Sequence, residues 1–313
     1  MSKIAVLGPG GVGGFLAAAL WRAGEDVVVV ARESTAELIN DAGIEVQSLR
    51  MGDFTARPSA VAILDEPVDV LLIATKATTL MAALERIRAE PGLVVPLLNG
   101  LEHIGLLRER FGAGRVAAGV IRVESTAPAP GQVRQTSPLL RIDLAADDPG
   151  LHSGVEALAR TLEAASLPAL VDASEAHAMW SKLVRLVALA CTTSASGETI
   201  GFIRSDPEWR RTLLAAIGEA AAVADAEGAG VDPAEALGEL DAAHPDLRSS
   251  LYRDLVAGRQ TELDAIAGAV IRAGRRHGIA CPTIERLRLT IAQQAGANLS
   301  DQGVGGAGCG PGE

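Results

Sequence analysis

Apolar residues along this chain follow two rhythms, and the change from one to the other divides it. In the first half, "KIAVLG" (3–8), "DVVVVAR" (26–32), "VDVLLIAT" (68–75) and "LVVPLLN" (93–99) are short runs without polar alternation. That is the pattern of strands buried on both faces of a parallel sheet. Stretches with helical spacing lie between them, at about 12–23 and 79–90. "RVAAGVIRVEST" (115–126), "GQVRQT" (131–136) and "LLRIDL" (139–144) predict shorter strands joined by turns, antiparallel at one edge of the sheet. Strands alternating with helices imply a doubly wound α/β architecture. After about residue 172 strand signals stop, and helices are predicted over 173–196, 206–228, 233–242, 248–277 and 283–295. The chain is therefore expected to hold an α/β domain over 1–170 and an all-helical C-terminal domain over 171–298. The Gly-rich end, 299–313, has no periodic apolar face and is expected to be a disordered tail.

Composition narrows the function classes. A length of 313 residues accommodates two cores. Aromatic residues are only 3%, so those cores must be built from Ala, Val, Leu and Ile. The net charge of −11 argues against a nucleic-acid partner, whose phosphates require clustered cations. No apolar run reaches the length of a membrane span, and "MSKIAVLGPGGVGG" lacks the layout of a signal peptide, so a cytoplasmic protein is expected. Cys191, Cys281 and Cys309 are widely spaced and give no disulfide or metal pattern; no metal site is expected.

The chemistry begins at Gly8-x-Gly10-x-x-Gly13, which follows one predicted strand and opens a predicted helix. In that context Gly8 makes a tight turn, Gly10 lets backbone approach a pyrophosphate, and Gly13 lets the helix pack close to the strand, a Rossmann dinucleotide site. The helix start offers free N–H groups to phosphate. An NAD site places Asp or Glu at the end of the second strand, about 20 residues after the glycines. Here that strand ends in Arg32, suited to a 2′-phosphate, so NADP(H) is the expected coenzyme, with Glu33 beside it as the contrary sign.

Three of the 28 basic residues are lysine: Lys3, Lys76 and Lys182. An ammonium can lend a proton and a guanidinium cannot, which marks the two internal lysines for attention. Lys76 lies past the carboxyl end of a predicted strand, and Asn99 ends the next, both at the edge where open α/β sheets hold ligands. Lys182 lies three residues before Arg185 on one side of an apolar helix, an arrangement that a solvent-facing stripe explains equally well.

These pieces resemble the ketopantoate reductase (2-dehydropantoate 2-reductase) family over about residues 3–290. "GPGGVGG", "TKA", "LLNG", "WSKL", "SSLYRDLVAGRQTELDAIAGAVIRAGRRHGIACPT" and its "HGIACPT" ending are similar to that family's motifs in order and spacing. The resemblance implies NADPH-dependent reduction of a small 2-oxo acid to the 2-hydroxy acid, with Lys182 as general acid and Glu262 as its assisting carboxylate. Asn99 and Lys76 would place the nicotinamide end and the substrate. Ser250 (or Ser249, one residue off) would meet the substrate carboxylate. Gly8, Gly10, Gly11, Val12, Gly13 and Arg32 would hold the coenzyme. Pairing of helical domains into a homodimer and a place in pantothenate biosynthesis are implied in the same way. One departure stands out: where the pantoate-forming enzymes carry asparagines about four and eight residues after the lysine, this chain has Leu186 and Ala190. A more apolar substrate is expected for that reason. A D-2-hydroxyacid dehydrogenase or a tailoring ketoreductase on the same scaffold is the alternative enzyme, and a nucleotide-binding sensor the non-enzymatic one.

Overall fold

The computed structural model describes residues 2–304, with side chains as far as Gly296. Five short strands form a parallel sheet: β1 (Lys3–Leu7), β2 (Asp26–Val30), and, after two strands of another sheet, β5 (Ser59–Val61), β6 (Val70–Ile73) and β7 (Leu93–Pro96). Their order is β5-β2-β1-β6-β7, which puts the reversal of strand order between β1 and β6. Alternate residues of each strand enter different cores. Ile4, Val6, Val27 and Val29 face one, and Ala5, Leu7, Val28 and Val30 the other. A sheet covered on both faces needs apolar residues at every position, which is why its strands lack alternation.

Helix α1 (Gly11–Arg22) covers one face, with Phe15 through Leu20 all buried. Helix α2 (Glu33–Ala42) contributes Ala36 and Ile39 to the same core. The other face is covered by α3 (Leu80–Leu84) and α4 (His103–Phe111), through Leu80, Leu84, Leu107 and Phe111. The helix expected over 79–90 is thus cut to a single short one. Ile87 instead pairs with Leu64 in an isolated parallel bridge, and Leu64 exchanges backbone hydrogen bonds with Arg86 and Arg88. Tertiary pairing overrides the local helical preference.

The strands expected over 115–144 also need correcting. They do not extend the first sheet. Beyond one bridge from Val116 to Val94, the chain leaves it and builds a second sheet from β3 (Ile44–Ser48), β4 (Phe54–Ala56), β8 (Ala118–Thr126), β9 (Gln132–Ala145) and β10 (Ala169–Val171). The two segments expected at 131–136 and 139–144 are one strand, β9, interrupted where residues 136–139 lie opposite Glu124 of β8 in a bulge that accommodates Pro138. Strands β8 and β9 run antiparallel, while β3 and β10 join β9 in parallel. Val133, Leu140, Ile142 and Leu144 of β9 join the α1 core, and so do Val155, Leu158 and Leu162 of α5 (His152–Ala164).

The chain divides into two units between Met179 and Trp180, within helix α6 (Glu175–Ser196). In the first unit, the start of α6 is held by Arg108, whose Nη2 lies 2.7 and 2.6 Å from the two carboxylate oxygens of Glu175. The second unit continues with α7 (Ile200–Ser205), α8 (Pro207–Ala226), α9 (Pro233–Ala242), α10 (Ser250–Val256), α11 (Ala269–Arg276) and α12 (Pro282–Val304). Asp206 and Asp232 cap α8 and α9 ahead of a proline in the first turn, a strong local start signal. The single helix expected over 248–277 is broken. Gly258 takes φ +62, a left-handed stop after α10, and the chain resumes at Leu263 through a π turn at Asp264–Gly268. Helix α12 runs past the expected 295 to Val304. Residues 305–313, the rest of the expected tail, lie outside the described residues, as does Cys309.

Burial pushes the Cys191 thiol up to about 12 and the Cys281 thiol to about 11. Raised thiol pKa values leave almost no thiolate at neutral pH. A Cys309→Ser variant is therefore expected to resist a colorimetric thiol reagent at pH 8 while folded, and to release two equivalents once unfolded in denaturant. Rapid labelling of the folded protein would contradict the burial of both thiols.

Candidate active site

The registers of the parallel strands set the site. Leu7 at the end of β1 is level with Val30 of β2 and Ile73 of β6, and Ile73 is level with Pro96 of β7. Gly8, Arg32, Lys76 and Asn99 leave those strands one to three residues further on, so all four issue from the carboxyl edge of the sheet. That edge, beside the reversal between β1 and β6, is where open α/β sheets form their ligand crevice.

The glycine turn is shaped by close backbone packing. Gly8 takes φ +90, and a Cβ there would lie 2.7 Å from Cγ2 of Thr75. A Cβ on Gly13 would overlap the carbonyl oxygen of Gly8, and one on Gly11 would lie 2.6 Å from the carbonyl carbon of Ser125 in β8. Gly10 differs. It is exposed, its φ of −76 suits any residue, and a Cβ there would meet nothing within 4 Å. Gly10 is also the N-cap of α1 and offers no side-chain oxygen, so the first-turn N–H groups of Gly11, Val12 and Gly13 have no intrahelical acceptor. Open space above unsatisfied donors at the start of a twelve-residue helix fits a dinucleotide pyrophosphate. Thr75, after β6, adds a buried hydroxyl oxygen with no hydrogen-bond partner.

Arg32 is exposed at the N-cap of α2, with no side-chain capping bond. Among the described residues its guanidinium makes no ion pair, so it is available to an anion. Lys76 is exposed and precedes a short 3-10 turn, and its carbonyl accepts the Thr79 N–H at 3.0 Å. Asn99 is half-buried ahead of Gly100, which turns at φ +92.

The remaining candidates belong to the helical unit. Lys182 is half-buried on α6, in a stripe with Ser181, Arg185 and Leu186, while Leu183 and Val184 beside it are buried. The stripe is not a solvated face: the Arg185 side chain is only 12% exposed, and its Nε lies 3.0 Å from Glu239 of α9. Leu186 is half-buried and Ala190 fully buried. Glu262 is buried just ahead of the π turn, and its carbonyl accepts the Ile266 N–H at 3.0 Å. π turns are frequent at functional sites. The two serines separate cleanly. Ser249 is buried, and its Oγ accepts from the Tyr252 N–H at 3.1 Å and from the Thr193 hydroxyl at 3.2 Å. Its hydroxyl is committed to capping α10, whereas Ser250 is exposed.

One positioning residue had no signal in the sequence. Ser125 donates its hydroxyl to the Gly11 carbonyl at 2.7 Å, from 114 residues away, and fixes the start of α1 against β8 next to the Glu124 bulge. Among the described residues no group of His, Cys, Asp and Glu could hold a metal, and no helix is long and apolar enough to cross a membrane.

A glycine turn open to phosphate at the switch point of a Rossmann sheet is the arrangement of a dinucleotide-binding protein. A family model described as "Ketopantoate reductase PanE/ApbA" matches residues 4–147, and its C-terminal counterpart matches residues 176–295. The chain belongs to the ketopantoate reductase family, which makes it an oxidoreductase acting on CH–OH or C=O groups. A 2-dehydropantoate 2-reductase of Mycobacterium tuberculosis (strain H37Rv) is 31% identical over 287 residues, covering 89% of this chain and 93% of its own. The crystal structure of 2-dehydropantoate 2-reductase from Geobacter metallireducens GS-15 is 27% identical with a TM-score of 0.86, over 93% of this chain and 99% of that one. D-mandelate dehydrogenase, solved with NADH and anilino(oxo)acetate, has the same TM-score of 0.86 at 21% identity, over 94% and 99% of the two chains, a likeness of fold.

The glycines divide into those that serve the fold and one that faces open space. Gly13→Ala is expected to lose about 1–3 kcal/mol of stability, from overpacking against Gly8. Gly10→Ala should keep or slightly raise the melting temperature, since its conformation suits alanine. The same methyl should weaken binding of reduced coenzyme by about tenfold or more, measured by quenching of coenzyme fluorescence. Unchanged affinity in Gly10→Ala would remove the pyrophosphate from that position.

Proposed function

We propose that this chain reduces a small 2-oxo acid to the 2-hydroxy acid with NADPH, the reaction of the 2-dehydropantoate 2-reductases it is similar to. The observation that carries this reading is Lys182: a lysine in an arginine-rich chain, set half-buried on α6 among Leu183, Val184 and Leu186. A family match over both halves of the chain supports it. Bound NADPH supplies the hydride. Lys182 stabilises the charge developing on the carbonyl oxygen and donates the proton that completes the alcohol. Glu262, a buried carboxylate, keeps the ammonium cationic and oriented. Asn99 and Lys76 hold the nicotinamide end and the substrate at the sheet edge, and the exposed hydroxyl of Ser250 receives the substrate carboxylate. Arg32, without a carboxylate partner at the end of β2, favours the 2′-phosphate of NADPH over NADH. A homodimer in the cytoplasm belongs to the same reading.

The substrate side chain is read from α6. Leu186 and Ala190 stand where pantoate-forming enzymes place asparagines, so a substrate hydroxyl at this point loses two partners. A buried hydroxyl left unpaired costs about 1–3 kcal/mol. The substrate is therefore a 2-oxo acid with a hydrocarbon side chain, such as 2-oxoisovalerate, and the second reading, a D-2-hydroxyacid dehydrogenase of apolar acids, rests on the same two positions. Ketopantoate as the preferred substrate would instead place the chain in pantothenate biosynthesis. A nucleotide sensor needs neither the half-buried lysine nor the buried glutamate.

NADPH oxidation followed across a panel of 2-oxo acids, with both coenzymes, should show kcat/KM for hydrocarbon acids about tenfold or more above that for ketopantoate, and higher with NADPH. Equal or better turnover of ketopantoate would defeat the apolar reading; coenzyme binding without turnover of any acid would favour the sensor. Lys182→Ala is expected to lower kcat by about 10²–10⁴-fold while coenzyme affinity stays close to wild type. Undiminished turnover would take Lys182 out of the mechanism.

A further inference from the structure

Several arginines in the helical unit are matched to acceptors. Arg210 pairs with Asp241, Arg185 lies against Glu239, and Arg204 donates to the carbonyl oxygens of Leu240 and Ala243 at 3.0 Å each. Arg248 is not so matched. It is half-buried, its Nε is buried with no hydrogen-bond partner, and its guanidinium makes no ion pair among the described residues. The Nε of Arg185 is orphaned too, but that guanidinium faces Glu239; a half-buried guanidinium with no carboxylate beside it leaves room for an anion from outside.

Three contacts fix where that anion would sit. The guanidinium lies over the ring of Tyr252, the only tyrosine in the chain, with 5.1 Å from Cζ to the ring centre. Stacking of this kind holds the plane of the fork. Tyr252 is itself fixed, because its N–H is donated to Ser249 Oγ, which also accepts from the Thr193 hydroxyl. Thr193 lies about three turns after Lys182 on the same side of α6. The segment bearing Arg248 and Ser250 is thereby tied to the side of α6 that carries the proposed proton donor.

We propose that Arg248, beside Ser250, is the anchor for the carboxylate of the 2-oxo acid. This rests on the reaction proposed above and deepens it. A 2-oxo acid brings two oxygen-bearing groups, and one ammonium cannot serve both. If Lys182 were paired with the carboxylate it would be misplaced for the carbonyl oxygen. A guanidinium fork matches the two oxygens of a carboxylate, never gives up its proton, and leaves Lys182 to the oxygen that becomes the alcohol. The arrangement selects an acid over a neutral ketone, whatever hydrocarbon chain follows.

The test compares wild type, Arg248→Gln and Arg248→Lys on the best 2-oxo acid of the panel and on its methyl ester. Arg248→Gln should raise KM for the acid about 10- to 100-fold, with kcat within about threefold, while KM for the ester stays unchanged. Affinity for NADPH and the melting temperature should hold, and Arg248→Lys should recover part of the loss. An unchanged KM for the acid, or an equal rise for acid and ester, overturns the assignment of Arg248 and leaves the reaction standing. A wild type that neither reduces nor, by thermal shift with coenzyme present, binds any 2-oxo acid overturns the reaction itself and this anchor with it.

Discussion

The turn between β1 and α1 is packed closely on three sides, and a side chain on Gly11, Gly13 or Gly14 would have no room. Gly13 lies against the Gly8 carbonyl, Gly11 against the backbone of Ser125 and Thr126, and Gly14 against Val133, where a Cβ would stand 2.7 Å from a methyl carbon. The first pair joins the helix to its own sheet. The other two join it to the second sheet. Because α1 is pinned on both sides, its N-terminus points to one place, and the Ser125 hydroxyl bond to Gly11 holds it there. Gly10 alone among these glycines faces open space. The open space at the start of α1 is thus what remains when two sheets are packed as closely as a helix allows, and its shape depends on Ser125 and Thr126 of β8 and Val133 of β9.

The parallel sheet and the coenzyme turn were legible because their signals are local. Strands without alternation announce burial on both faces, and a strand, a glycine pattern and a helix within twenty-odd residues give the turn its context. Asp-Pro marks the starts of α8 and α9 in the same way. What stayed hidden is set by partners far along the chain. The second sheet hangs on β9, which joins β3 through pairs such as Val46 with Val133; nothing near either residue names the other. The shortening of α3 follows from the Leu64–Ile87 bridge. Gly258 falls in a stretch whose apolar spacing is helical throughout, and only its φ of +62 shows the break. The site follows the same division: Gly8, Arg32, Lys76 and Asn99 could be placed on one edge from strand positions alone. That Ser249 caps α10 while Ser250 stays exposed is visible only in the structure.

The proposed reaction would bring two anions to an acidic chain, an electrostatic difficulty, since the net charge of −11 repels both at long range. At physiological ionic strength that repulsion decays over about 8 Å, so capture must come from groups close to the ligand. The arginines of this chain are divided accordingly. Several are neutralised locally, as in Arg108 with Glu175, Arg210 with Asp241 and Arg272 with Asp264. Such pairs stitch helices together and add little to the field felt by an approaching anion. Arg32 and Arg248 are among those without a carboxylate partner, one after β2 and one beside Ser250. On the proposed reading, a chain that is negative overall would gain selectivity from the position of such guanidinium groups rather than from long-range attraction. On the proposed reading Lys182 differs from these arginines in kind: a guanidinium keeps its proton, whereas an ammonium can donate one.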